Sequence, residues 1–180
     1  ALQAPWQGRL GHGEPAVTGF IQSFTGSHRF ILDYLVEEVL AQQPEKIQVF
    51  LMKTAVLDRL TGSLCDALTG QDNSQQVLEA LDRANLFIVP LDENRRWYRY
   101  HHLFADLLQQ RLRQSQSEQV STLHVQASEW FEQNGFTDEA VEHALHARDY
   151  ERTTRLIGEH VDTIWQRGEH ARPQRWLTEL

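Results

Sequence analysis

One cysteine, one methionine and five prolines in 180 residues leave this sequence few covalent or chain-breaking devices. Cys65 alone can make neither an internal disulfide nor a thiolate metal site, a usage that fits a cytoplasmic compartment. No stretch approaches 18 consecutive apolar residues, which excludes a membrane-spanning helix. Nothing at the N-terminus reads as a signal peptide, and a start at Ala1 reads as an excised piece. There is no G-x-x-x-x-G-K-[ST] phosphate loop and no G-x-S-x-G motif, so this segment is not expected to be an enzyme. Basic charge is also short. Lys and Arg number 17 against 25 Asp and Glu, a net charge of −8. Residues 1–45 carry two basic and five acidic groups, 46–115 nine and eight, and 116–180 six and twelve. Binding to a phosphate backbone needs concentrated positive charge, so direct DNA binding is not expected.

What is present is an apolar fraction of 41%, with five Trp, eight Phe and four Tyr. That is enough to build a core and argues against disorder. Residues 1–28 are punctuated by glycines and by Pro5 and Pro15 and hold at most short helical pieces. Ile31, Leu35 and Val39 predict a helix from Arg29 to Leu40, stopped at Gln42-Gln43-Pro44. Glu45 to Leu57 predicts another, with Ile47, Phe50, Leu51, Thr54 and Ala55 inward. Ser63 and Asp66 resemble a capping box before a short helix ending at Gly70. Ser74 is a candidate cap for the next helix, whose inner face is Val77, Leu78, Leu81 and Ala84.

At Phe87 the apolar period falls from about 3.6 to about 2. The run Leu86 to Leu91, the turn residues Asp92-Glu93-Asn94, and Trp97 to Tyr100 predict a β-hairpin. Trp97 and Tyr98 point to opposite faces, so one should pack on the helices while the other is exposed or meets a neighbouring domain. Leu103, Phe104, Leu107, Leu108 and Leu112 form the stripe of a following helix. Helices followed by a hairpin make a winged helix; an irregular helical bundle with one apolar loop is the competing reading. From Gln116 onward three more helices are expected, with short turns that force antiparallel neighbours. Their faces are Val120, Leu123, Ala127, Trp130 and Phe131, then Ala140, Val141, Ala144 and Leu145 after a Thr137 cap, then Leu156 and Ile157 after Asp149-Tyr150. The fold class is mainly α: a winged-helix domain with one β-hairpin, then tetratricopeptide-like antiparallel helix pairs.

Nine histidines raise the question of a metal. His143 and His146 stand three apart on a helix, but no third ligand has a recognisable spacing and no metal site is expected. Cys65 reads as a small hydrophobe. The run Trp97-Tyr98-Arg99-Tyr100-His101-His102-Leu103-Phe104 places two imidazoles and a guanidinium at a strand-to-helix junction. A histidine at a helix start can donate to a phosphate oxygen, or it can merely satisfy a backbone carbonyl. The helix before the hairpin carries Asp72, Glu79 and Asp82 against Arg83, the wrong sign for a helix that enters DNA.

The run A-N-L-F-I-V-P-L-D-E-N-R-R-W-Y-R-Y-H-H-L-F-A-D-L-L at 84–108 resembles the MalT-like family, LuxR-type bacterial transcriptional activators of the STAND class. So do F-T-G-S-H-R-F-I-L-D-Y-L-V-E-E-V-L at 24–40, L-H-V-Q-A-S-E-W-F-E-Q-N-G-F at 123–136 and E-A-V-E-H-A-L-H-A-R-D-Y at 139–150. The resemblance implies the end of a small helical domain at 1–43, a winged helix at 44–114, and the start of a tetratricopeptide-like sensor arm at 115–180. Trp176-Leu177 looks like the family's tryptophan-leucine ahead of a further helix pair. A full-length parent would add a nucleotide-binding domain that takes ADP or ATP with Mg, the rest of the sensor superhelix, and a DNA-binding module. Those first two would be this segment's intramolecular partners, with self-association on activation.

By the same resemblance His101 falls on the histidine that meets the ADP β-phosphate in the resting state. His102 stands where the family motif has an aspartate, so the acid's role does not carry over, and adjacent histidines leave open which one faces nucleotide. The expected function is a regulatory, inducer-dependent switch. A freestanding helical interaction module is the alternative, and a hydrolase the third class.

Overall fold

The computed structural model describes residues 40–115, 117–166 and Trp176. The helix expected from Arg29 to Leu40 lies outside the described residues, apart from a buried Leu40. The elements are α1 (Glu45–Thr54), α2 (Gly62–Thr69), α3 (Ser74–Arg83), β1 (Ile88–Pro90), β2 (Tyr98–Tyr100), α4 (His102–Ser115), α5 (Ser117–Gln133), α6 (Thr137–His146) and α7 (Tyr150–Gln166). This is a mainly α fold with one antiparallel hairpin followed by antiparallel helices, as the patterning predicts. No described helix is long and apolar enough to cross a membrane.

The winged-helix half is built on a few inward positions of each element. Helix α1 buries Phe50, Leu51 and Thr54 and ends at Thr54, three residues before the expected Leu57. The Thr54 hydroxyl donates to the Phe50 carbonyl at 2.8 Å, and Leu57 N–H closes a turn onto Thr54. Helix α2 buries Leu64, Cys65 and Leu68 and stops at Gly70, whose φ of 74° a residue with a Cβ adopts at a cost.

Three capping expectations are corrected. Residue Thr61, not Ser63, precedes α2, and the Asp66 carboxylate accepts the Ser74 N–H at 3.0 Å instead of closing a box on its own helix. Ser74 is therefore the first residue of α3, capped by Asp66, and its side chain is buried. Likewise Thr137 is the first residue of α6, behind Phe136. On α3 the inner face is Leu78 and Leu81; Ala84 falls past the helix end and is exposed.

The hairpin pairs Ile88 with Tyr100, Val89 with Arg99 and Pro90 with Tyr98. Tyr98 spends its N–H and C=O on Leu60, at 2.9 and 2.8 Å, so it asks no donor of Pro90, and proline is tolerated there. The turn is held by the Asp92 carboxylate, which accepts the N–H groups of Arg96 and Trp97. These bonds, the Arg96 N–H first, hold its pKa below the usual carboxylate range. Helix α4 buries all five residues of its expected stripe.

In the second half α5 and α6 pack closely, because Ala127, Ala140 and Ala144 are wholly enclosed and let the backbones approach. Ser128 donates to the Ala140 carbonyl at 2.7 Å and Ser121 to the Ala147 carbonyl at 3.0 Å, tying the two helices. The Asp149 carboxylate accepts the Arg152 N–H and caps α7. Helix α5 also packs on α2, so one apolar cluster runs from Phe50 through Leu60, Leu108 and Leu123 to Leu156.

Candidate functional site at the strand-to-helix junction

Strand β2 alternates: Tyr98 and Tyr100 are buried, and Arg99 between them is exposed. The Tyr100 hydroxyl meets the Thr54 hydroxyl at 2.7 Å, and its ring packs edge-on against Phe104. Burial raises the Tyr100 pKa well above its ordinary value, so it stays a neutral anchor. The strand therefore delivers His101 to one fixed place.

The His101 backbone is committed at both ends. Its N–H donates to the Phe87 carbonyl at 2.7 Å, and its carbonyl accepts from Phe104 and Ala105 at 2.9 and 3.0 Å, opening α4. Phe87 reaches that position with φ of 53°, a left-handed conformation costly for an aromatic residue, while its ring stacks on Phe104. Such strain, roughly 1–3 kcal/mol, tends to collect at functional sites.

The side chain of His101 has no hydrogen-bond partner among the described residues. Its Nδ1 is enclosed, so the ring can meet a ligand only through Nε2. Burial lowers its pKa first, then the neighbouring His102 and Arg99. At neutral pH it is a neutral imidazole, able to donate one hydrogen bond. Residue His102 is exposed, with its ring 4.3 Å from that of His101. The exposed Arg99 makes no ion pair with a described residue. The junction thus offers one positioned N–H donor close to an exposed guanidinium that pairs with no described carboxylate. The carbonyl-satisfying role that competes for His101 finds no bond to support it among these residues.

A second histidine group is one that sequence spacing misses. His124 on α5 and His143 on α6 meet Nδ1 to Nδ1 at 2.8 Å, with the His146 ring 5.0 Å from that of His124. The pair needs one Nδ1–H and one bare Nδ1. Burial chiefly, then the neighbouring imidazoles, lowers His124 to about 4 and His143 to about 3. Among the described residues no group of three or more His, Cys, Asp or Glu is arranged to hold a metal ion. The spacing of His143 and His146 on one helix gives no sign of this contact, because the hydrogen-bond partner of His143 lies 19 residues upstream on the facing helix. Cys65 is fully enclosed, and burial pushes its thiol far above the reactive range.

Trp97 is half-buried against the helix pair, edge-on to Trp130 and Phe136 at 6.3 and 5.6 Å. Arg59 lies on it, 4.5 Å from the ring centre, and pairs with Glu139 of α6. Arg59, in the family-like stretch Leu57-Asp58-Arg59-Leu60, shows no contact in the sequence, because its partner is 80 residues away.

Three helices, a hairpin and a helix at its far end define a winged-helix module continuing into antiparallel helix pairs. Residues 36–120 match the MalT winged helix domain. Over 148 residues the chain is 37% identical to the HTH-type transcriptional regulator MalT of Yersinia pestis, which covers 82% of the chain and 16% of that protein. Over 140 residues it is 36% identical to the serine/threonine-protein kinase PknK of Mycobacterium tuberculosis, covering 78% and 13%. The matched segment is therefore under a fifth of either relative's length. The chain carries a winged helix domain of the MalT type.

Proposed function

We propose that this segment is the non-catalytic joint of a nucleotide-switched, inducer-dependent transcriptional activator, with the winged helix holding the resting state. In that reading His101 donates through Nε2 to the β-phosphate of ADP bound on a nucleotide domain elsewhere in the protein. The proposed division is the end of a small helical domain at 1–43, the winged helix at 44–114 and the first sensor-arm helices at 115–180. ATP exchange and inducer would favour an open, self-associating form. A ligand moves such an equilibrium only through its difference in affinity for the two forms.

The observation that carries the reading is His101 itself: a backbone locked by three hydrogen bonds, an enclosed Nδ1 and a side chain with no described partner. The relatives support a switching role over an output role. One is named a transcriptional regulator and the other a kinase, so the shared segment goes with different outputs.

The test is ADP affinity by calorimetry for full-length wild type, His101→Ala and His102→Ala, each checked for folding by circular dichroism. Losing one hydrogen bond to a charged group, about 1.5–3 kcal/mol, corresponds to roughly tenfold to hundredfold weaker binding for H101A. The same variant should respond to less inducer. A folded H101A that binds ADP as tightly as wild type rejects the reading and leaves the helical interaction module. A larger loss for H102A moves the contact to His102.

A further inference from the structure

Arg59 ties the helix pair to the strand that leads to His101. We propose that it is the positioning residue through which the arm sets His101 against its phosphate, an inference that rests on the nucleotide reading above. The guanidinium lies 4.5 Å from the Trp97 ring centre and 4.7 Å from that of Phe136, and pairs with Glu139. Phe136 and Glu139 belong to the turn into α6 and its first turn. The next residue in the chain, Leu60, exchanges both backbone hydrogen bonds with Tyr98. Tyr98 stands three residues before His101, whose N–H is fixed on Phe87.

From α6 to His101 the linkage is therefore an ion pair, a stacked guanidinium, a pair of backbone hydrogen bonds and a strand. None of these steps is a loose loop. A displacement of the α5–α6 turn must carry the Arg59–Leu60 segment with it or break the Arg59 contacts. The ion pair is partly open to solvent, both side chains being 32% exposed, although the Arg59 Nε is itself enclosed with no partner among the described residues. Fully buried pairs resist separation far more strongly. A link with these properties suits a joint that must hold in one state and release in another.

A double-mutant cycle on the full-length protein separates positioning from plain stability. ADP affinity is measured by calorimetry for Arg59→Gln, Glu139→Gln, His101→Ala and each of the first two combined with His101→Ala. Arg59→Gln and Glu139→Gln are expected to weaken ADP binding roughly three- to tenfold. In the H101A background that loss should vanish, since the residue being positioned is gone. Losses that simply multiply, or no loss from either variant while H101A binds weakly, overturn the positioning role and leave the nucleotide reading standing. Unchanged affinity in H101A itself overturns the reading beneath it. Glu139→Gln keeps the Arg59 stack, so its cycle decides the matter if Arg59→Gln fails to fold.

Discussion

His124 and His143 share a single Nδ1–H across the α5–α6 interface at 2.8 Å. Both imidazoles are neutral in the fold, held at about 4 and about 3, against an ordinary value near 6.5 that the unfolded chain regains. Between those values the unfolded state binds protons that the folded state refuses, so stability falls as pH drops. Asp58 and Glu142 line the same groove of about 630 Å³ and favour the charged form; Arg113 and Arg148 oppose it. Urea midpoints should therefore fall between pH 7 and pH 5, a window in which most carboxylates stay ionised. His143→Gln keeps a hydrogen-bonding group and should flatten that dependence. Identical pH dependence in the variant would show that other groups set it.

The elements that rest on local periodicity were legible. The α4 stripe of Leu103, Phe104, Leu107, Leu108 and Leu112 is buried as read, and the period change at Phe87 marks the hairpin. The junction position of His101 follows from the same change. Contacts between distant segments were not legible. Arg59 with Glu139, and His124 with His143, leave no spacing signature, because tertiary packing and not helix period brings them together. The caps failed for a related reason: Asp66 had an acceptable local role, yet a neighbouring helix start outcompeted it.

Two tyrosines on one strand should respond in opposite directions to loss of their hydroxyls. Among the described residues the Tyr98 hydroxyl is enclosed with no partner, whereas that of Tyr100 meets Thr54 at 2.7 Å. Tyr98→Phe removes an unsatisfied buried group and should leave stability unchanged or raise it by up to about 1 kcal/mol. Tyr100→Phe should cost about 1 kcal/mol. Denaturant melts of the two variants read the difference directly, and equal losses would contradict the hydroxyl environments described.

Duplex DNA should not bind to this chain at physiological salt. Helix α3, which precedes the hairpin, exposes Glu79 and carries Asp82, and Asp82 neutralises Arg95 of the turn at 2.7 Å. With a net charge of −8 the counterion-release term is unfavourable. A fluorescence anisotropy titration should stay flat, and micromolar, steeply salt-dependent binding would sink the claim.

Asp66 separates two caps that the sequence alone cannot tell apart. As part of a capping box with Ser63, its carboxylate would support the first turn of α2, its own helix. In the fold its Oδ1 instead accepts the Ser74 N–H at 3.0 Å, eight residues on, and holds the start of α3. No side-chain cap bond is made at Thr61. Asp66→Ala should therefore cost about 1 kcal/mol, as the loss of a helix cap usually does. The cost should fall on α3. Hydrogen exchange should accelerate at Ser74, Gln75 and Gln76, whose N–H groups lie in the first turn of that helix. The α2 amides of Leu64 and Cys65 should keep their wild-type rates, since Cys65 N–H bonds to the Thr61 carbonyl. Asp66→Asn keeps an acceptor oxygen and should restore most of the protection, losing only the charge that favours a helix N-terminus. Faster exchange confined to α2 would mean that the carboxylate turns back onto its own helix in solution.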